Sequence, residues 1–405
     1  MRKLASIQQI AAVVPIPGAD KIEVAQIGGW NVVVKKGEFK EGDLGVYFEI
    51  DSFLPAAHPA FEFLAKDAKE RDGVMRVRLK TIRLRKQLSQ GLILPISSFP
   101  ELSKSVLGLR VLTEGDDVSE LLNVEKYETP EERSVNSPAT QRSRTSPWPF
   151  FLQKTDQERV QNVIPQVQSS AQNGESFELT VKLDGSSMTV YALRKDSPHF
   201  AEAFKKQAKK YESEYVKSLS VFGKIKHKVK RLLGEPAPTP SVIYGVCSRN
   251  IDLDLDGDSH FAKYVQDNNV IQKIEVLSKL YGSIALQGEL VAPQIQGNYE
   301  KVDKPEWYIY DVYNIDKQSY LLPEDARVAT LLADQNYVPV ISEHLFLKQE
   351  EEEDISGRDL VDMLLACAEG DGMNPGVNRE GLVAKSNTTS FSFKIISNSY
   401  LEKKG

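Results

Sequence analysis

Between Tyr127 and Pro149 the chain loses its apolar rhythm and becomes a run of Pro, Ser, Thr and Arg. Thr129-Pro130, Ser137-Pro138 and Ser143-Arg144-Thr145-Ser146-Pro147 follow one another there. Such a stretch offers little apolar surface to bury, and the residue before each proline is pushed away from the helical conformation, so it reads as a linker. It divides 405 residues into two parts, in keeping with domains of about 100–200 residues. The expected organisation is a first module at 1–126, a linker at 127–149 and a second domain at 150–405.

The first module carries short apolar bursts: Ile22, Val24, Ile27, then Trp30, Val32, Val34, then Val46, Phe48, Ile50, broken by Gly28-Gly29, Gly37 and Gly42-Asp43. That pattern predicts short antiparallel strands with tight turns, the texture of a small β-barrel. Val74–Leu84 and Leu88–Pro95 add a further strand pair. After Phe150 strands and helices mix. Phe177–Val181, Thr189–Leu193, Leu286–Val291 and Trp307–Val312 read as strands, and Glu324–Ala333, following Pro323, reads as a helix. A second helix fits Ser356–Glu369, with Leu360, Val361, Leu364, Leu365 and Ala368 on one face and Gly370 as its stop. The second domain is therefore expected to be α+β.

Several function classes are excluded early. No apolar run approaches the roughly 20 residues of a membrane span, and the first residues lack the apolar core of a signal peptide, so an intracellular, cytoplasmic location is expected. Two cysteines, Cys247 and Cys367, are too few for a disulfide framework or a Cys-built zinc site. There is no phosphate-binding P-loop, no paired-His helix and no dinucleotide fingerprint. The formal net charge of −6 means that any nucleic acid must be held by local basic patches.

The segment Thr180-Val181-Lys182-Leu183-Asp184-Gly185-Ser186-Ser187 ends an apolar strand with an amine, a carboxylate and a flexible turn. That suits a nucleophilic lysine facing a nucleotide phosphate, although Lys-x-Asp-Gly by itself also occurs in surface hairpins. Further charges follow in apolar strands, where an unpaired ion is costly: Glu289 in Gln287–Pro293, Asp311 beside Tyr310, Glu380 before Gly381-Leu382-Val383-Ala384-Lys385, and Lys394 in Ser392–Ile396. Perturbed charges gathered in this way mark a site.

In this order the segments resemble the motifs of the covalent nucleotidyltransferase superfamily of ATP-dependent ligases and capping enzymes. Lys182–Gly185 is similar to motif I, Glu289 to motif III, Tyr310-Asp311 to motif IIIa, Glu380-Gly381 to motif IV and Lys394 to motif V. Val246–Asn250, with Arg249, and the approach segment Lys154–Asn162 resemble stretches of the RNA ligases. An N-terminal barrel with Lys80–Arg85 and Leu88–Leu92 resembles the RNA ligase 5 family, in which the OB module precedes the transferase domain. DNA ligases and capping enzymes carry theirs after motif V, and here the chain ends at Gly405, shortly after Lys394. Motif V departs from the frequent Lys-x-Lys, because Ile395 and Ile396 follow Lys394.

The resemblance implies an ATP-dependent RNA ligase joining RNA 3′-OH and 5′-phosphate ends, with a nicked duplex as the expected partner and no obligatory protein partner evident. It implies AMP carried on Lys182 and Mg2+ or Mn2+ held, through water, by Asp184, Glu289 and Glu380. Nucleotide contacts are expected from Val181, Leu183, Arg249, Glu289, Tyr310 and Lys394. Burial, Lys394 and a divalent cation are expected to disfavour the Lys182 ammonium. In the barrel, alternating Arg76, Arg78 and Lys80 share one strand face, continued by Arg83 and Arg85; the face either holds RNA backbone or is merely solvated. A basic insertion at 204–240, with ten Lys/Arg between Phe204 and Arg231, is either a phosphate-tracking arm or a solvated helical addition. The acidic run Glu350–Asp354 reads as a solvated lead-in to the helix at Ser356. A DNA ligase, a capping guanylyltransferase and a noncatalytic RNA-binding module are the rival readings.

Overall fold

The computed structural model describes residues 3–104, 111–127, 146–232, 239–347 and 356–404. Most of the expected linker, part of the basic insertion and the acidic run at Glu350–Asp354 lie outside the described residues.

The first module contains β1 (Ala5–Gln9), β2 (Ala12–Pro15), β3 (Ile22–Ile27), β4 (Trp30–Lys35), β5 (Leu44–Phe48), β6 (Ser52–Pro55), β7 (Val74–Arg78), β8 (Thr81–Leu84), β9 (Gln87–Gln90) and β10 (Leu92–Pro95). β5 pairs antiparallel with both β1 and β10, and β2, β3 and β4 form a meander. Along β4 the alternation Trp30, Val32, Val34 turns one face inward, so the two-residue period of the sequence becomes core. The strand expected over Val74–Leu84 changes partner half-way. Leu79 is buried and exchanges backbone hydrogen bonds with Asp51 and Ser52, which ends β7 against β6. β8 then forms its own hairpin with β9, turning at Arg85 and Lys86, both with positive φ. β10 leaves the hairpin at Gly91 to join β5.

The second unit holds two sheets. The five-stranded one runs, in order, Glu158–Arg159, β18 (Ser392–Ile396), β17 (Gly381–Ser386), β11 (Ser176–Lys182) and β16 (Val340–Phe346). It packs on α1 (Ile164–Gln172) and α7 (Gly357–Ala368). The larger sheet has β13 (Val242–Cys247), β12 (Ser186–Arg194), β14 (Ile284–Val291) and β15 (Glu306–Asn314) as its centre. It is covered by α4 (His260–Asp267), α5 (Val270–Tyr281) and α6 (Pro323–Leu332). On α7, Leu360, Val361, Leu364, Leu365 and Ala368 are the buried face, and Ser356 caps the start by accepting the Asp359 N–H. The basic insertion forms α2 (Phe200–Ser218) and α3 (Val221–Leu232).

β11 and β12 are consecutive in the chain yet belong to different sheets. Only Leu183, Asp184 and Gly185 join them. The Lys-x-Asp-Gly turn is thus the crossing between the sheets, with Lys182 and Asp184 at the cleft they enclose.

The barrel is tied to this cleft from two sides. In the segment before α1, the Trp30 indole N–H donates to Asn162 at 2.8 Å, the Asn162 amide donates to Glu49 at 3.1 Å, and Arg159 reaches Asp51 at 3.5 Å. At the other side lies α8 (Asn398–Lys404). Leu401 packs against the barrel core, Gln90 donates to Asn398 at 3.2 Å, and Arg83 pairs with Glu402.

Candidate active site between the two sheets

A cavity of about 800 Å³ opens between the sheets, lined by Lys182, Asp184, Glu289, Tyr310, Glu380 and Lys394 and, from the barrel side, by Asp51, Arg78 and Lys80. Its volume is in the range of nucleotide-sized sites.

Lys182 is the last residue of β11 and stands opposite Gly381 in β17. This register sets its amine beside Glu380, Nζ to Oε2 2.7 Å. A side chain at Gly381 would meet the Ile395 carbonyl at 2.1 Å, so glycine is what lets β17 approach its neighbour here. Gly185 has a similar role on the other sheet. A Cβ there would lie 2.6 Å from the Leu290 carbonyl, and the Gly185 N–H donates to Glu289 Oε1 at 3.1 Å. Glu289 is paired with Ser187 in the β12–β14 register. Asp184 is held at both ends: its N–H donates to Glu300 Oε1 at 2.9 Å, and its carboxylate accepts the Tyr400 hydroxyl at 3.1 Å.

The electrostatics differ from the sequence expectation in one respect. Burial does lower the Lys182 pKa, but the Glu380, Glu289 and Asp184 carboxylates outweigh it, and the net shift is upward. The Lys394 amine lies 3.7 Å from Asp156 and helps hold down the Glu380 carboxyl. In this state Lys182 is an ammonium ion clamped by acids. The acids are displaced in turn. Burial pushes Glu289 up to about 8 and Glu300 up to about 7, against the pull of Lys182 and of the Asp184 N–H respectively. Glu380 is also raised by burial, with Lys182 opposing.

Tyr310 lines the cavity with its hydroxyl 2.9 Å from that of Ser187, and burial raises its pKa. The neighbouring Asp311 turns to Lys385, 2.6 Å away, and the Lys385 amine also bonds the Tyr310 carbonyl. Arg249 is an exposed residue of the loop after β13 that also lines the cavity. It helps lower the Lys154 pKa, behind burial as the larger cause. The side chains of Val181 and Leu183 are buried in the core of the five-stranded sheet. Both residues nonetheless border the cavity beside Lys182.

Asp184, Glu289 and Glu380, which line one cavity, are oxygen donors of the kind Mg2+ and Mn2+ take. Among the described residues no three acidic, His or Cys side chains converge tightly enough to hold an ion directly. The donor set fits an ion held through its own waters.

The cationic strand face expected over Arg76, Arg78 and Lys80 needs a correction at Arg76. Arg76 is 4 % exposed. It donates to the Phe53 and Asn123 carbonyls at 3.2 and 2.8 Å and pairs with Glu125 at 2.6 Å, so it is a structural residue under the chain at 123–125. Arg78 pairs with Asp51 at 2.8 Å and lies over the Tyr127 ring. Lys80 and Arg85 are exposed, and Arg83 is the partner of Glu402.

A family model described as RNA ligase matches residues 175–396, and one described as an OB-fold domain matches residues 4–96. The chain belongs to the RNA ligase family. Among solved structures, a glutamate-to-alanine variant of the Naegleria gruberi RNA ligase with ATP and Mn is 37% identical, with 99% of each chain covered and a TM-score of 0.76. The Naegleria gruberi RNA ligase with PPi is 37% identical over 100% of this chain and 99% of that one, also at 0.76. A second such variant, with AMP and Mn, is 36% identical over 99% of each chain at 0.75. Comparison with curated proteins gave no match.

For this RNA ligase, the fold is an N-terminal OB barrel followed by an α+β ligase domain. Sequence reasoning missed Glu300 and Tyr400, and quoted Thr155 and Lys385 without giving them a role. Thr155 donates to Gln287 Oε1 at 2.5 Å and to Asp311 at 3.3 Å. Lys385 was visible as a charge ending an apolar strand; Glu300 and Tyr400 sit in segments without periodic pattern and become neighbours of Asp184 only on folding.

Proposed function

We propose that the chain is an ATP-dependent RNA ligase that carries AMP on Lys182 and seals nicks in duplex RNA. The observation that carries this reading is the Lys182 amine in a nucleotide-sized cavity, clamped by Glu380 and surrounded by Asp184 and Glu289.

Lys182, once neutral, attacks the α-phosphorus of ATP. An N–P bond forms, the bond to the bridging oxygen breaks, and pyrophosphate leaves with the electron pair. AMP then passes to an RNA 5′-phosphate, and an RNA 3′-OH displaces it to form the phosphodiester. A divalent cation held through water by Asp184, Glu289 and Glu380 supplies positive charge that neutralises the phosphates during transfer. The same carboxylates, when occupied by a cation, no longer stabilise the ammonium form of Lys182, which answers the upward shift of its pKa. Arg249 and Lys394 meet the sugar and phosphates, Tyr310 lies along the base, and the backbone at Val181 and Leu183 edges the nucleotide. The structures of Naegleria gruberi RNA ligase with ATP, AMP and Mn support this assignment.

The barrel (residues 1–126), joined through 127–149 to the domain at 150–405, serves the RNA steps. Lys80, Arg83 and Arg85 are its RNA-facing cations, with Arg78 at the cavity rim. The setting is the cytoplasm; no helix among the described residues is long and apolar enough to cross a membrane.

The test is ligation on a panel of nicked duplexes with RNA or DNA on each side of the nick. Efficient sealing with RNA at the 3′-OH side supports the reading. Equal sealing of all-DNA nicks, or joining of single strands only, contradicts it.

A further inference from the structure

The helix α3, Val221–Leu232, in the basic insertion has an exposed face that is apolar. Val221, Phe222 and Leu232 are 78, 83 and 80 % exposed, and Ile225 and Val229 are 59 and 49 % exposed. Successive helical residues turn about 100°, so these five side chains fall within an arc of roughly 100°. Lys226 and Lys228 border that arc on its two sides, and the helix sequence adds Lys224, Lys230 and Arg231 with no acid.

The opposite side of α3 meets α2 through His227. His227 lies 3.4 Å from Glu212 and packs edge-on against the Tyr215 ring at 5.6 Å. The Ser220 hydroxyl accepts the Gly223 N–H at 3.2 Å, capping the start of the helix. α2 in turn is anchored in the core of the larger sheet through Phe200 and Ala203, with Phe204 stacked on Phe200. The hairpin therefore holds α3 by its polar side and turns its apolar stripe outward. That is the reverse of what burial in a globular core would produce.

We propose that α3 docks on the surface of a bilayer containing anionic phospholipids, its apolar stripe at the acyl boundary and its lysines among the headgroups. Charge complementarity and shape both select this partner. RNA phosphates would satisfy the lysines but offer nothing to Val221, Phe222, Ile225, Val229 and Leu232. A protein groove that wraps a basic amphipathic helix would need the side already taken by α2, whereas a flat surface needs only the outward stripe. A helix with cations flanking an apolar face is the form that lies in a membrane interface without spanning it. This surface association is additional to ligation and uses none of the residues around Lys182.

The experiment is flotation of the full chain with vesicles of phosphatidylcholine alone and of phosphatidylcholine with phosphatidylserine. The wild type should float with the phosphatidylserine vesicles only, and less so as salt is raised. Phe222→Asp with Ile225→Asp should reduce partition by about tenfold or more, and Lys226→Glu with Lys228→Glu should reduce it as well. Nicked-RNA ligation by both variants at the wild-type rate would show that the fold is intact. The proposal is overturned if the wild type ignores anionic vesicles or if the apolar variant floats like the wild type. It is also overturned if the apolar variant loses RNA affinity instead, or if this face proves to be the contact of a dimer.

Discussion

Glu300 gives the most quantitative handle on the site. Its side chain is 1 % exposed, one oxygen accepts the Asp184 N–H at 2.9 Å, and the other has no hydrogen-bond partner among the described residues. Burial lifts its carboxyl from 4.5 to about 7, with the Asp184 N–H opposing. At about 1.36 kcal/mol per pH unit, that interval corresponds to ~3 kcal/mol. The folded protein favours the protonated acid, so the contribution is fully present below pH ~4.5 and is lost as pH rises through about 7. Glu300→Gln keeps an oxygen for the Asp184 N–H and cannot ionise. The variant should match the wild type near pH ~4.5 and exceed it by ~3 kcal/mol at pH ~8. Urea unfolding of the nucleotide-free protein, followed by a probe in the ligase domain across this range, measures the gap. A gap that stays constant with pH, or that favours the wild type increasingly at high pH, refutes the burial argument.

Three further outcomes follow from the structure. With Lys182 raised by its carboxylates and Glu289 pushed up to about 8, single-turnover formation of lysyl-AMP should quicken as pH rises from about 6 to about 9; a flat profile contradicts the clamped ammonium. Arg76→Ala should cost about 2 kcal/mol or more of stability by stripping two carbonyls and Glu125 of their donor. Lys80→Ala should leave stability within about 1 kcal/mol but weaken RNA binding and flatten its salt dependence. Thermal melts and titrations at two salt concentrations separate the two classes.

How much of this was legible in the sequence depends on what each residue answers to. The α7 face follows from helical spacing, because Leu360, Val361, Leu364, Leu365 and Ala368 have only one way to be buried together. Glu289 and Glu380 announce themselves because a carboxylate in an apolar strand needs a reason to be there. Glu300 and Tyr400 give no such signal: one lies in an irregular loop and the other on the last helix, and their meeting at Asp184 is tertiary. Arg76 was misread for a related cause. Alternation assigns a side chain to one face of a strand, but whether water or Asn123 and Glu125 cover that face is decided elsewhere in the chain. Burial of Lys182 follows from its place at the end of an apolar strand, whereas the gathering of three acids around its ammonium is brought about by two different sheets and has no local sequence signal.

The central claim is that Lys182 is the residue that takes AMP from ATP. Incubating the full chain with α-labelled ATP and Mg2+ or Mn2+, then mapping the label by peptide mass spectrometry, tests it directly. The account predicts AMP on Lys182 in the wild type and no adduct in Lys182→Ala, with GTP giving none in either. Label on a different lysine, or an adduct that survives Lys182→Ala, would contradict it.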